Sequence, residues 1–314
     1  MPSQYLYTMF TFEAEQEVYD INGVKIGGQP GEHPTVMVGS IFYKGDSLLE
    51  DPKTGEFDEE GAREAIRMVE ETSEKTGNPA MLDVIGDTPE ALIKHVDFVA
   101  EETDIPIFMD GPTPNIRSKA AKHVGEIGIQ DQIIYNSIES STKEVDTEIE
   151  AIQNAGIDAA VLLSIDTKNL TLQGRFDALD KNLEVAEEAG ISKPIVDPAV
   201  IDIPDSGFAA KAIHEIKDRY GIPAGCSPHN EVIRWEMEDP LSPDTKKLRQ
   251  AVANSVIVHL GADFNLYGTI HSAPEMYSVV SQADAYVGYA AQMTERRRPS
   301  QDHPLYKIFR KGGN

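Results

Sequence analysis

A single cysteine, Cys226, is the only thiol in this chain of 314 residues. The chain therefore forms no internal disulfide and no multi-thiolate metal centre. Apolar runs long enough to span a bilayer are also missing, as is the basic, apolar, small-residue succession of a secretory signal at the N-terminus. These absences lead to the expectation of a cytoplasmic protein with no direct membrane insertion. Positive charge is scarce too. Lys and Arg total 28 against 53 Asp and Glu, a formal net charge of −25. Nucleic acid and anionic lipid repel such a surface, which excludes both as principal partners. The acidic excess is spread through Glu56–Glu60, Glu70–Glu74 and Glu144–Glu150. Dispersal of this kind reads as a solvated coat suited to a salt-rich, halophilic cytoplasm more than as an acidic docking face.

What the chain does have is rhythm. Its hydrophobic content of 40% and charged content of 26% are those of a soluble globular protein. Glu17–Ile21 and Val24–Gly27 alternate around Asn22-Gly23, a strong hairpin signal. A hairpin at about 15–30 is expected to close the lower end of the structure that the remaining chain builds. Eight short β-branched-rich runs come next: Thr35–Phe42, Met81–Ile85, Ile105–Met109, Gln132–Asn136, Ala159–Ser164, Pro194–Asp197, Ile222–Cys226 and Asp263–Tyr267. Helical stretches separate them. Thr88-Pro89-Glu90 and Thr113-Pro114 set a cap residue before a first-turn proline. Ser141-x-x-Glu144 has capping-box spacing, and Gly128, Gly156, Gly190 and Gly221 stand where helices stop. Strand alternating with helix eight times predicts a (β/α)8 TIM barrel. The alternative, a doubly wound sheet, lacks its Gly-rich phosphate turn. No linker interrupts the pattern, so one barrel domain over 1–314 is expected, with a tail from about 296.

Polar residues close several of these runs, at the end where a barrel builds its site. The second contains Asp83, the third ends at Asp110, the fourth at Asn136, the sixth at Asp197, and the seventh leads to Asn230. A carboxylate in an apolar strand is costly without a partner. One such residue often ties down a loop, but three carboxylates and two amides converging on one end point to a ligand site. Carboxylates that each accept paired hydrogen bonds suit a guanidine-like heterocycle with adjacent N–H donors. No Lys or Arg ends the seventh or eighth run, where barrels commonly hold phosphate. Cys226-x-x-His229 is half a ligand set with nothing near to complete it, so no metal site is expected. Trp235 and Tyr220 read as packing at the barrel mouth, and Arg296–Arg298 as a solvated or subunit-contact turn. His95, His123 and His214 fall within helical patterns and are expected on the exterior.

One set of segments, in this order and spacing, is specific. It includes Val24-Lys25-Ile26-Gly27-Gly28-Gln29-Pro30-Gly31, Gly39-Ser40-Ile41-Phe42-Tyr43, Thr76-Gly77-Asn78-Pro79, Ile134-Tyr135-Asn136-Ser137-Ile138-Glu139 and Val196-Asp197-Pro198. Ala262-Asp263-Phe264, Leu266-Tyr267-Gly268 and the tail His303-Pro304-Leu305-Tyr306-Lys307-Ile308-Phe309 complete it. With these the chain resembles the MtrH family of tetrahydromethanopterin S-methyltransferase. It resembles more closely the methylcorrinoid:tetrahydrofolate methyltransferases of glycine-betaine demethylation, above all in Tyr135–Glu139 and the tail.

The resemblance implies a pterin-binding barrel that moves a methyl group between N5 of a tetrahydropterin and a corrinoid. Asp83 and Asp197 would bind the pyrimidine edge, Asn136 would help fix the ring, and Asp110 matches the third-strand carboxylate. Asn230 matches the catalytic loop asparagine that approaches N5. Asp110-Gly111-Pro112-Thr113 departs from the relatives' Asp-Ser continuation, so no role carries over to Thr113. His229 stands at a variable place and receives no proton-transfer role. Tetrahydrofolate and tetrahydromethanopterin share the ring these residues would read, and both stay open. The corrinoid-domain pattern Asp-x-His-x-x-Gly is absent, which implies a cobalamin carried by a partner corrinoid protein. A homodimer covering Pro304–Phe309 is also expected. Two alternatives remain: a dihydropteroate synthase-like condensing enzyme, which would need basic residues on late strands, and a non-catalytic pterin-binding subunit.

Overall fold

A computed structural model of the chain describes residues 10–240 and 242–309. Of the tail from about 296, residues 310–314 lie outside the described ones. Asn22 and Gly23 take φ of 45° and 86°, the left-handed pair that a two-residue hairpin turn requires. Across it β1 (Val18–Ile21) and β2 (Val24–Gly27) pair antiparallel. Ile21 and Ile26 point into one apolar cluster with Val36, Met81, Phe108, Ile134 and Phe264, residues near the starts of later strands. The hairpin thus plugs the foot of the barrel.

The chain continues through β3 (Val36–Ile41), a small antiparallel pair β4 (Leu49–Asp51) and β5 (Glu56–Phe57), then β6 (Ala80–Ile85) and β7 (Ile107–Asp110). After these come β8 (Ile133–Ile138), β9 (Ala159–Leu163), β10 (Lys193–Asp197), β11 (Gly225–Cys226) and β12 (Phe264–Thr269). Eight of them lie side by side in parallel, in the order β10-β9-β8-β7-β6-β3-β12-β11. A parallel bridge between Val196 and Ala224 closes the ring. Each of the eight runs expected from sequence holds one barrel strand. β11 is the shortest, and at Gly225 a Cβ would stand 2.1 Å from the Phe264 carbonyl oxygen. Only glycine lets these two strands approach so closely.

Helices α1 (Glu59–Thr76), α2 (Pro89–Glu102), α3 (Pro114–Ile127), α4 (Val145–Ala155), α5 (Leu172–Glu188) and α6 (Ser206–Tyr220) form the outer layer. They are joined by α7 (His229–Glu238), α8 (Pro243–His259), α9 (Ala273–Thr294) and the short α10 (Pro304–Lys307). Their apolar faces pack on the strands' outward side chains. Thr88 caps α2 by accepting from the Ala91 N–H at 3.1 Å, and Gly128, Gly156 and Gly221 end their helices in the left-handed conformation. The expected capping box at Ser141 does not form. α4 starts at Val145 with Glu144 in the cap position, because the Ser141 hydroxyl is engaged by the Glu139 carboxylate. No described helix is long and apolar enough to cross a membrane.

Four further expectations are corrected. His95 is fully buried on the inner face of α2, with Nδ1 2.7 Å from the Ile85 carbonyl oxygen and its ring stacked on Phe42. His214 packs edge-on against Phe12, with ring centroids 5.1 Å apart. Tyr220 ends α6 at the foot and bonds Asp180 at 2.8 Å. Trp235 lies on α7, just past the strand ends, beneath the Arg249 guanidinium at 3.4 Å. Arg297 is no free surface charge: its Nη1 donates to the carbonyls of Phe10 at 2.7 Å and Pro30 at 2.9 Å.

Candidate functional site

A cavity of about 540 Å³ opens at the carboxyl ends of the strands, a volume suited to a small heterocyclic ligand. Asp83 on β6, Asp110 ending β7, Asn136 on β8, Asp197 ending β10 and Asn230 in the first turn of α7 all line it. The structure therefore brings together every candidate from the sequence. Thr113 is not among the lining residues; it caps α3 from an exposed position.

Asp83 is 4% exposed. Parallel pairing of β3 with β6 sets Ser40 opposite it, and the Ser40 hydroxyl donates to Oδ2 at 2.7 Å. The Asn136 amide donates to Oδ1 at 3.3 Å. Burial pushes this carboxyl up to about 6, helped by the charge of Asp197 and moderated by the two donors. Asp197 accepts the Ala199 N–H at 2.7 Å, an amide aimed by the left-handed turn at Ala199, φ 63°. Burial lifts Asp197 to about 7 against that hydrogen bond and the charge of Arg175. Asp110 goes furthest, to about 8, through burial and then the nearby Asp83 charge. Arg117 lies behind it, but its guanidinium is committed to Glu148 and the Gly111 carbonyl, both at 2.6 Å. All three acids are thus short of donors, and a ligand that brings N–H groups would restore their charged forms.

The loop after β11 makes the other wall. His229 Nδ1 lies 2.8 Å from the Ser227 hydroxyl and 3.2 Å from the Leu266 carbonyl oxygen. A carbonyl only accepts, so Nδ1 carries the hydrogen and the neutral ring keeps an acceptor at Nε2. Burial lowers this histidine to about 4, so it stays uncharged at neutral pH. Asn230 is exposed, beside Ile233 at the mouth. Its amide can both donate and accept, which suits a ring nitrogen that changes protonation.

Three lining residues escaped the sequence reading: Ser40, Lys246 and Gln250. Ser40 ends an otherwise apolar run, a signal of the kind that revealed Asp83. Lys246 and Gln250 stand one turn apart on α8, not on a strand end. Only their spacing of four marks them as sharing a face.

Fold and site together define a barrel of the dihydropteroate synthase shape. The synthase of Xanthomonas albilineans with 4-aminobenzoic acid superimposes with a TM-score of 0.61, covering 87% of this chain and 98% of that one at 15% identity. The Yersinia pestis synthase gives 0.57 over 86% and 98% at 14% identity. At such identities the likeness is one of fold. Sequence goes further: residues 14–296 match the family of the tetrahydromethanopterin S-methyltransferase MtrH subunit. The MtrH protein of Methanothermobacter thermautotrophicus is 36% identical, across 96% of this chain and all 100% of its own. Its Methanocaldococcus jannaschii counterpart is 37% identical over the same shares, 96% and 100%. The chain belongs to this family of pterin methyltransferase subunits.

Proposed function

We propose that the chain, acting as one barrel domain in the cytoplasm, moves a methyl group between N5 of a tetrahydropterin and the cobalt of a corrinoid carried by a separate protein. Tetrahydromethanopterin is the carrier that the relatives' name specifies, with tetrahydrofolate as the competing one. The reading rests on the convergence of Asp83, Asp110, Asn136 and Asp197 in one cavity, three of them acids short of donors. Asp83 and Asp197 accept from the pyrimidine edge, Asn136 steadies the ring, and N5 faces the mouth. Methyl transfer is a displacement with nucleophile, carbon and leaving group in line, so positioning does most of the work and no protein nucleophile is needed. A methyl that leaves N5 leaves an electron pair there, which takes up a proton. Asn230 is placed to donate to that pair or to accept from the resulting N–H.

The protein mixed with methylcobalamin and each reduced pterin, followed by the corrinoid spectrum, tests the activity. Demethylation that depends on pterin supports it. Micromolar pterin binding without turnover points instead to a binding subunit. Asn230→Ala is expected to depress single-turnover transfer more than pterin affinity; normal transfer in that variant, with transfer abolished in His229→Ala, moves proton handling to the histidine. We also propose a homodimer through Tyr286, Tyr289, Met293 and Phe309, exposed together on α9 and the tail. A monomeric mass by light scattering at low and high salt refutes it.

A further inference from the structure

Among the residues lining the cavity, Lys246 is the only lysine or arginine, against the three acids Asp83, Asp110 and Asp197. The acids stand at strand ends, in the depth of the cavity. Lys246 stands in the first turn of α8, on the wall formed by the segment after β11. Gln250, one turn along the same helix, lines the cavity beside it. The field of the ammonium reaches into the site, where it helps hold down the affinity of His229 for a proton. Its partner is Glu236 on α7, at 2.5 Å, in a pair whose two side chains are each about one third exposed, 33% and 34%. Surface pairs of that kind contribute little to stability. Such an ammonium is free to exchange one carboxylate for another anion at small cost.

We infer that Lys246, aided by Gln250, forms a subsite for the anionic tail of the pterin, with Glu236 occupying the ammonium until the tail arrives. This deepens the proposed function and rests on it. The cavity then reads its ligand in two parts of opposite character. Acids in its depth take a donor-rich ring, and a lone cation nearer the mouth takes the carboxylate or phosphate at the other end. The neutral His229 between them leaves the cation unscreened by any further charge.

Lys246→Ala and Glu236→Gln break the same ion pair, which makes the test sharp. A plain brace between α7 and α8 predicts effects of the same sign from both. A tail subsite predicts opposite signs. Titration calorimetry with 5-methyltetrahydrofolate, methyltetrahydromethanopterin and tail-less 5,6-dimethyltetrahydropterin separates ring from tail. Lys246→Ala is expected to weaken the two tailed pterins about tenfold, as loss of a charge-assisted contact does, and to leave the tail-less one unchanged. Glu236→Gln is expected to tighten the tailed pterins about twofold to threefold, because the ammonium no longer has a competing carboxylate. A greater loss for the methanopterin carrier assigns the subsite to its phosphate; equal losses assign it to the carboxylate common to both tails. Equal shifts for all three ligands, or the same sign in both variants, overturn the inference. Loss of all binding in Asp197→Ala, with tail-less binding retained in Lys246→Ala, keeps this inference distinct from the pterin reading. A wild-type protein that binds none of the three removes both.

Discussion

Both ends of this barrel bury aspartates, and the two ends treat them differently. At the foot, Asp263 meets the ammonium of Lys217 through Oδ1 and the Ala224 N–H, at 2.9 Å, through Oδ2. Lys217 also donates to the Gly28 carbonyl at 2.9 Å. Asp284 nearby takes the Thr35 hydroxyl at 2.8 Å and the Asn78 amide at 2.5 Å. These acids fasten the strand β3, helix α9 and the plugging hairpin to one another. At the mouth, Asp110 and Asp197 are each met by one backbone N–H, and the arginines behind them are engaged elsewhere. Residue type and burial are the same. The supply of donors separates an acid that holds the fold from one that waits for a ligand.

The largest effect expected from breaking that contrast is at the foot. Lys217→Met leaves Asp263 buried without its cation and is expected to cost about 3–5 kcal/mol of stability, read by urea unfolding. Pterin affinity per folded molecule is expected to stay as it is. Asp197→Ala is expected to do the reverse: a loss of about 2–5 kcal/mol in pterin binding, read by titration, with little change in the unfolding midpoint. A variant in which both quantities fall together erases the distinction between the ends.

Asp110→Asn sharpens it through pH. A carboxyl whose folded pKa stands above its unfolded one stabilises the protein fully at low pH, and that contribution is lost as pH rises through the folded value. With Asp110 lifted to about 8 from an ordinary 3.8, unliganded protein is expected to lose stability steadily from about pH 4 to 8. Asp110→Asn is expected to recover about 1–3 kcal/mol at pH 8 and close to nothing at pH 4, read by thermal melts across that range. Equal stabilisation at both ends of the range would place Asp110 among the satisfied acids. The smallest effect is on affinity: a ligand that prefers ionised acids binds more tightly from pH 6 to 8, a trend that Asp110→Asn is expected to flatten.

Much of this was legible from sequence for a physical reason. An aspartate within a β-branched apolar run contradicts its surroundings, and Asp83 and Asp197 stood out on that ground. Asn230 came from the family resemblance, and the structure sets it among the same lining residues. Strand positions were legible because a parallel barrel buries both faces of each strand, leaving continuous apolar runs. Helix-borne features were less so. Lys246 belongs to a helix whose polar residues all look alike until the barrel decides which face meets the cavity. His95 has the polarity of a surface residue, yet its ring packs on Phe42 while Nδ1 reaches the Ile85 carbonyl oxygen. Tyr220 and Trp235 are close in sequence, but one ends a helix at the foot and the other follows a strand at the mouth.

Filled from below by Ile21 and Ile26, the barrel gives its ligands one doorway. The pterin and the face of the methyl-carrying partner have to pass or occupy the same opening, so the order of arrival matters. A pterin already seated is held in when the partner docks over it, whereas a partner that docks first bars the pterin's way. Turnover then follows an ordered sequence, pterin first in and last out. Saturating partner protein slows pterin dissociation rather than speeding it.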